Sequence, residues 1–154
     1  MRERLLTGDG LDDRPDVNQK GELQTMIAPE TPTGDLTLRT QAMPGDANAA
    51  GDIFGGWVMA QMDLASGIRA AERAHGRVVT AGVKEMAFAK PMKVGDTLCI
   101  YTHIEGVGRT SIRLKVEAWA QRYLSPTMEM VTHADFVMVA LDANGKPTPV
   151  PPED

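Results

Sequence analysis

The sequence predicts an α+β fold in which one long helix lies across an antiparallel sheet. One long stretch has the three-and-four spacing of an amphipathic helix, and four later stretches alternate apolar and polar residues. The connections between the later stretches are short and contain glycine, which favours antiparallel neighbours. The order of these elements is a strand, the long helix and then four strands.

The first 35 residues are not predicted to join this core. They contain seven glycine and proline residues and a net charge of -4, without a sustained apolar period. Such a segment buries too little apolar surface to offset its ordering entropy, so we predict a flexible or loosely docked tail over residues 1–35. A single domain is predicted over residues 36–151, beginning with a short strand from Leu36 to Gln41 that ends before Pro44-Gly45.

The long helix is predicted from Ile53 to the region of Gly76, a plausible stop signal. Its first half is apolar around much of its circumference, which indicates a helix partly enclosed by other elements. The residues that recur at helical spacing, and are therefore expected on one face, are Ile53, Trp57, Ala60, Leu64, Gly67, Ile68 and Ala71.

Four strands are predicted after the helix, over residues 78–88, 98–104, 112–119 and 130–141. They are rich in β-branched or alternating apolar residues. Gly95-Asp96, Gly106-Val107-Gly108 and Asn144-Gly145 supply turns. The Gly106-Val107-Gly108 turn precedes a strand and not a helix, so it is not a dinucleotide-binding motif.

Composition excludes several classes of protein. The 154 residues carry a net charge of -5, which argues against a broadly basic nucleic-acid surface. No run has the length of a membrane span, and the first 14 residues contain no apolar stretch of signal-peptide length. Cys99 is the only cysteine, so no intrachain disulfide can form, and we predict a cytoplasmic protein.

The segment from Pro44 to Trp57 carries the strongest functional signal. It places Asn48, Asp52 and the pair Gly55-Gly56 immediately before the long helix. The unpaired N–H groups of a first helical turn favour an anion, so they could stabilise the oxyanion of a thioester under attack. Asp52 could orient or deprotonate a water there. The competing interpretation makes Asp52 a helix N-cap, Asn48 a turn residue and the glycines packing devices.

From Gly34 to Pro151 the chain resembles the YciA-like acyl-CoA thioesterases of the hotdog superfamily. The resemblance is clearest in three stretches: Gly34 to Thr40, Asn48 to Trp57, and His75 to Thr80. It implies a hotdog fold, a curved antiparallel sheet wrapped around a long central helix, and hydrolysis of acyl-CoA to a free acid and CoA. It also implies paired subunits with active sites at their interface, and a hexamer of three dimers. Because a thioester is already activated, we expect no metal or organic cofactor.

The resemblance also assigns the site. The catalytic aspartate falls on Asp52, as general base or nucleophile, with Asn48 positioning water or substrate. The amides near Gly55 and Gly56 would bind the thioester oxygen. Groups that could bind the CoA moiety are Arg77, Lys90, Arg109, Thr110 and Ser111.

Two departures from the family pattern stand near this site. Ala50 replaces an expected Asn, and Lys84-Glu85 replaces an acidic residue followed by Gly. A further expectation concerns flexible thioether side chains, which either fill the core or line an acyl groove. The residues concerned are Met59, Met62, Met86 and Met92.

Other chemistry is less well supported. Cys99 and His103 would lie roughly 13 Å apart on one strand, too far for a nucleophile–base pair. The three histidines show no metal-ligand spacing, while Asp63, within the helix, is a secondary catalytic candidate. Two alternatives remain: a hotdog dehydratase or hydratase, disfavoured because no His lies between residues 36 and 74, and a non-catalytic acyl-CoA-binding protein.

Overall fold

The computed structural model describes residues 16–17, 23–24 and 30–153. Two short strands come first, β1 (Asp16–Val17) and β2 (Leu23–Gln24). The main elements that follow are β3 (Asp35–Gln41), α1 (Gly55–Ala74), β4 (Val78–Phe88), β5 (Thr97–Val107), β6 (Ser111–Gln121) and β7 (Met128–Ala140).

The predicted tail is only partly described. β1 and β2 pair antiparallel with each other and lie inside it. Residues 1–15, 18–22 and 25–29 lie outside the described residues, so the tail and the domain limits stay predictions. Residue 35 already belongs to β3.

The five long strands form one antiparallel sheet in the order β3-β5-β6-β7-β4. The predicted α+β class and the order of elements are confirmed, and each predicted strand is present with slightly different ends. Only β3 and β4 have an unpaired edge within this sheet, because each is hydrogen-bonded to a single neighbour. Among the described residues, the five-stranded sheet therefore has two open edges, at β3 and at β4.

Helix α1 packs on one face of the sheet, and the core lies between them. The face predicted from helical spacing is mostly turned away from the sheet. Leu64 and Ile68 are 55% and 40% exposed, because the sheet covers the other apolar stripe. The helix residues that are buried are Val58, Met62, Ala65, Ser66, Ala70 and Ala74. Both stripes are apolar, so spacing alone could not decide which one meets the sheet.

A smaller apolar cluster contains Cys99, Trp119 and Met130. Cys99 alternates along β5 with Leu98 and Ile100 of the main core, so this cluster lies on the opposite face of the sheet. Burial raises the pKa of the Cys99 thiol, although Arg39 acts in the other direction. A thiol held in its neutral form is a poor nucleophile, in agreement with a structural role for Cys99. No helix in the described residues is long and apolar enough to cross a membrane.

Candidate active site

Asn48 organises the loop that leads into α1. Its side-chain Oδ1 accepts hydrogen bonds from the backbone N–H groups of Ala50 (2.9 Å) and Asp52 (3.1 Å). Its own N–H donates to the Asp52 carbonyl oxygen at 2.7 Å. The turn-residue interpretation of Asn48 is thereby confirmed. The amide oxygen sets the position of Asp52 through the backbone, while a direct contact of Asn48 with water or substrate stays a prediction.

Asp52 is not the N-cap of the helix. The N-cap is Phe54, and its side chain makes no capping hydrogen bond. The Asp52 carboxylate turns instead towards Lys93, whose Nζ contacts Oδ1 in a close ion pair. The carboxylate stays 39% exposed, so it is accessible to solvent beside the first turn of α1. The interpretation of Asp52 as a mere cap is wrong for this chain.

A cavity of about 330 Å³ adjoins the helix start. One wall is the beginning of α1, and the other is the segment that follows β4. A hydrogen bond from the Ile53 N–H to the Met92 carbonyl oxygen (2.9 Å) joins the two walls. The approach is tight at Gly55, where a Cβ atom would lie 3.3 Å from the Phe88 ring. The lining residues are Ile53, Gly55, Val58, Phe88, Ala89, Lys90, Pro91, Met92 and Val131.

The lining is mostly apolar and contains the first residue of the helix, so it combines a surface for an acyl chain with candidate oxyanion donors. Gly56, the second helical residue, has open space at its Cβ position. Of the four methionines considered, Met92 lines the cavity. Met62 is fully buried in the core, Met86 packs partly against it and Met59 is half-exposed. The methionine groove is therefore supported at Met92 only.

Lys90 belongs to an ion-pair cluster at the cavity wall. Its Nζ lies 2.8 Å from Glu129 Oε1, and Arg122 holds the other oxygen of that carboxylate with Nε and Nη2. Hydrogen bonds from Lys90 and Arg122 lower the pKa of the Glu129 carboxyl. Burial lowers the pKa of Arg122, but hydrogen bonds to Asp96 and Glu129 outweigh it and raise that pKa above its ordinary value. Both shifts favour the charged forms of Glu129 and Arg122.

The other predicted CoA contacts lie at the far end of the helix. Arg77 follows the end of α1, and its carbonyl oxygen accepts the Leu141 N–H at 2.9 Å. The Arg109-Thr110-Ser111 turn is adjacent, since the Thr110 carbonyl accepts the Ala140 N–H at 2.9 Å. Twenty helical residues span about 30 Å, so one chain does not bring these groups to Asp52. The structure divides the predicted site into two distant parts.

Asp63 occupies a third location. It lies on the exposed side of α1, eight residues or about 12 Å along the helix from its first residue, Gly55, and accepts a close hydrogen bond from Thr80 on β4. Leu64, Ile68 and Val79 line the same groove. Asp63 therefore does not join the carboxylate of Asp52. In the described part of the chain, no three His, Cys, Asp or Glu residues gather in a way that could hold a metal ion.

Comparison with known proteins identifies the family of this chain. Residues 50–124 match the family model described as the Thioesterase superfamily. The acyl-CoA thioester hydrolase YciA of Salmonella typhimurium is 49% identical over 124 residues, which cover 79% of this chain and 93% of the relative. An uncharacterized acyl-CoA thioester hydrolase of Haemophilus influenzae is 52% identical over 79% of this chain and 80% of its own length.

The chain belongs to the YciA-like acyl-CoA thioesterases. Solved structures give the same result. A hexameric broad-specificity acyl-coenzyme A thioesterase superposes with a TM-score of 0.77 at 49% identity, covering 79% of this chain and 90% of the other. A hexameric thioesterase from Yersinia pestis reaches the same TM-score at 46% identity, covering 79% of this chain and all of its own. The hotdog fold implied by the sequence is confirmed.

Within this YciA-like chain, the structure gives a reason for the glycine that the family resemblance predicts at position 85. Glu85, where Gly is more usual, has a φ of 58°, a left-handed conformation that costs a non-glycine residue energy. It lies at a bulge in β4, where the pairing with β7 shifts register between Lys84 and Ala87.

Sequence reasoning missed Lys93, which is 41 residues from Asp52 and has no motif that marks it.

Proposed function

We propose that this protein hydrolyses acyl-CoA to a free carboxylic acid and CoA, with Asp52 as the catalytic carboxylate. The observation that supports this role is the position of an exposed carboxylate beside the start of α1 and a largely apolar cavity. Membership of the YciA-like family supplies the reaction class.

The reaction needs one base, one oxyanion site and good orientation, because a thioester is already activated. As general base, Asp52 takes a proton from water while the hydroxyl attacks the thioester carbonyl carbon. Backbone N–H groups at Gly55 and Gly56 stabilise the oxyanion, the C–S bond breaks, and the CoA thiolate takes a proton. As nucleophile, Asp52 instead attacks the carbonyl carbon, the C–S bond breaks with release of the CoA thiolate, and water then cleaves the mixed anhydride to the free acid and the Asp52 carboxylate. Neither route requires a metal or an organic cofactor.

Replacement of Asp52 tests the role of the carboxylate. Asp52→Asn keeps the side-chain size, removes the base and should lower kcat by at least about 100-fold. Release of the CoA thiol is measured across acyl chain lengths. The matched comparison is Asp63→Asn, which removes a carboxylate within α1 and should cost far less. Full turnover by Asp52→Asn would contradict the assignment, and acyl-CoA binding without turnover by the native protein would indicate a non-catalytic binding protein.

We further propose that a complete site needs two chains. Within one chain, Arg77 lies beyond the far end of α1, a helix of about 30 Å, and the chain at the end of β7 contacts both Arg77 and Thr110 of the Arg109-Thr110-Ser111 turn. We therefore expect these groups to serve the CoA molecule of a second copy. Lys90 is the one CoA candidate on the Asp52 side, where its ammonium is shared with Glu129.

The second copy is expected on the exposed apolar stripe of α1 and the open edge of β4. This groove includes Leu64, Ile68 and Val79, and an unpaired strand edge favours pairing with another strand. A related thioesterase is hexameric. We propose a hexamer built from three such pairs.

Light scattering tests the assembly. The expected mass is about six times the 16.6 kDa subunit. Ile68→Glu should place a charge in the groove, dissociate the pairs and abolish turnover together. A monomer with full activity would contradict the two-chain site, and a stable dimer with full activity would contradict only the hexamer.

A cytoplasmic location is proposed from the cysteine content of the chain. Cys99 is a free, buried thiol, which suits a reducing compartment. Fractionation of cells that produce the native protein is the direct test. Recovery outside the cytoplasmic fraction would contradict it.

A further inference from the structure

We propose that Lys93 is a positioning residue for Asp52 in the hydrolysis reaction. Its ammonium holds one carboxylate oxygen so that the other oxygen faces the water to be activated. The inference rests on the proposed catalytic role of Asp52, and it adds a residue that none of the recognised motifs contains.

The two residues are joined through backbone and side chain. Asp52 and Lys93 form an isolated antiparallel β-bridge, so their Cα atoms lie side by side. Lys93 Nζ contacts Oδ1 of the carboxylate. The two side chains remain 39% and 57% exposed, which leaves room for water and substrate at the second oxygen. A one-point contact of this kind restrains rotation of the carboxylate without covering it.

The backbone of Lys93 is itself held in place. Its N–H donates to Oδ2 of Asp96 at 2.9 Å, and Asp96 is buried. The same carboxylate accepts hydrogen bonds from Arg122 Nη1 (2.7 Å) and from the Tyr123 N–H (3.0 Å). Arg122 also donates to the Pro91 carbonyl at 3.0 Å. Several hydrogen bonds thus hold the turn that carries Lys93, so the Lys93 side chain starts from a backbone that is fixed in position.

This geometry has a chemical consequence for a general base. A carboxylate that rotates freely offers its lone pairs to water in many directions. When one of its two oxygens is fixed, the second oxygen stays oriented in one direction. Because Lys93 contacts Asp52 and does not line the cavity, its loss should affect turnover more than substrate binding. A merely structural surface pair would show no such selectivity.

The first test replaces Lys93 in the full-length protein. Lys93→Met keeps the length of the aliphatic chain and removes the ammonium, and we expect kcat to fall about fivefold with KM unchanged, as befits loss of one exposed ion pair. Lys93→Arg should keep kcat within about twofold of the native value. The matched control is Lys115→Met, which breaks the Lys115–Glu105 pair of similar exposure (49% and 37%) away from the cavity and should leave kcat unchanged.

Chemical rescue separates charge from structure. Lys93→Cys should be as slow as Lys93→Met, and alkylation with 2-bromoethylamine, which rebuilds a lysine-like ammonium, should restore kcat. Alkylation with iodoacetamide should not. Native protein treated in the same way controls for Cys99, which is buried. Restoration by the neutral reagent, or no loss in Lys93→Met, would overturn the proposal.

The double variant distinguishes the two levels of the argument. If Lys93 acts through Asp52, adding Lys93→Met to Asp52→Asn should cause no further loss. An equal fivefold loss in both backgrounds would show that Lys93 acts independently and would overturn the inference while leaving Asp52 catalytic. Native turnover by Asp52→Asn would instead overturn the proposed function itself.

Discussion

A methyl group added at Gly55 is expected to slow catalysis while leaving the fold intact. The Cβ of Gly55→Ala would lie 3.3, 3.6 and 3.7 Å from three atoms of the Phe88 ring. Carbon atoms pack most favourably at about 3.5–4.0 Å, so the ring must retreat by a few tenths of an ångström. Phe88 is 46% exposed and can move, and alanine is better than glycine in a helix by up to about 1 kcal/mol. The melting temperature should therefore change by only a few degrees.

Activity should change much more than stability. Gly55 and Phe88 both line the 330 Å³ cavity, so the methyl and the displaced ring intrude on it beside the first turn of α1, where the thioester carbonyl would approach. Displacement of the reacting carbonyl by about 1 Å can cost about 100-fold, and we expect kcat/KM to fall about 10- to 100-fold. Thiol release under single-turnover conditions measures the loss directly.

Gly56→Ala is the matched comparison. It adds the same methyl one residue later, keeps the backbone N–H and meets no atom within 4 Å in the chain. Its loss of kcat/KM should be much smaller than that of Gly55→Ala. Equal activities of the two variants, both close to the native value, would refute the idea that the substrate occupies the cavity beside Gly55 and Phe88.

Three further predictions concern stability, each measured by thermal unfolding at one protein concentration. Glu85→Gly should stabilise the protein by about 0.5–1 kcal/mol, because relief of the left-handed backbone exceeds the added chain entropy; a lower melting temperature would contradict this. Arg122→Met should destabilise the protein by about 2–3 kcal/mol, because it removes the cation that pairs with buried Asp96. The loss is smaller than for a buried carboxylate without any partner, since Asp96 keeps two backbone N–H donors. An unchanged melting temperature would show that the Arg122–Asp96 pair is dispensable. Glu129→Gln should be less stable than the native protein at neutral pH, and the difference should vanish as the pH falls below 4.5. The pKa of Glu129 is lowered in the folded protein, so the ionised carboxylate stabilises the fold above the ordinary pKa of 4.5, and this stabilisation is lost as the pH falls through the folded-state pKa. A stability difference between the two proteins that persists at pH 2 would exclude this coupling of Glu129 ionisation to folding.

Much of the site was predictable because its signals are local in the chain. Glycines, an amide and a carboxylate immediately before a helical period indicate a helix start adapted to an anion, and Asn48, Asp52 and Gly55 are found there. The family resemblance in the same segment added the reaction class. The partners of these residues were not predictable, since Lys93 reaches Asp52 only through pairing between segments 41 residues apart.

The sequence by itself determined the elements, their order and the identity of the residues at the helix start, because periodicity and turn chemistry act over a few neighbours. The tertiary structure decided which apolar stripe of α1 meets the sheet, leaving Leu64 and Ile68 exposed. It also decided which cations stand near Asp52: Lys93 and Lys90 do, whereas Arg77 and Arg109 lie a helix length away. Helix packing and strand pairing join residues far apart in the chain, and spacing carries no information about such distances.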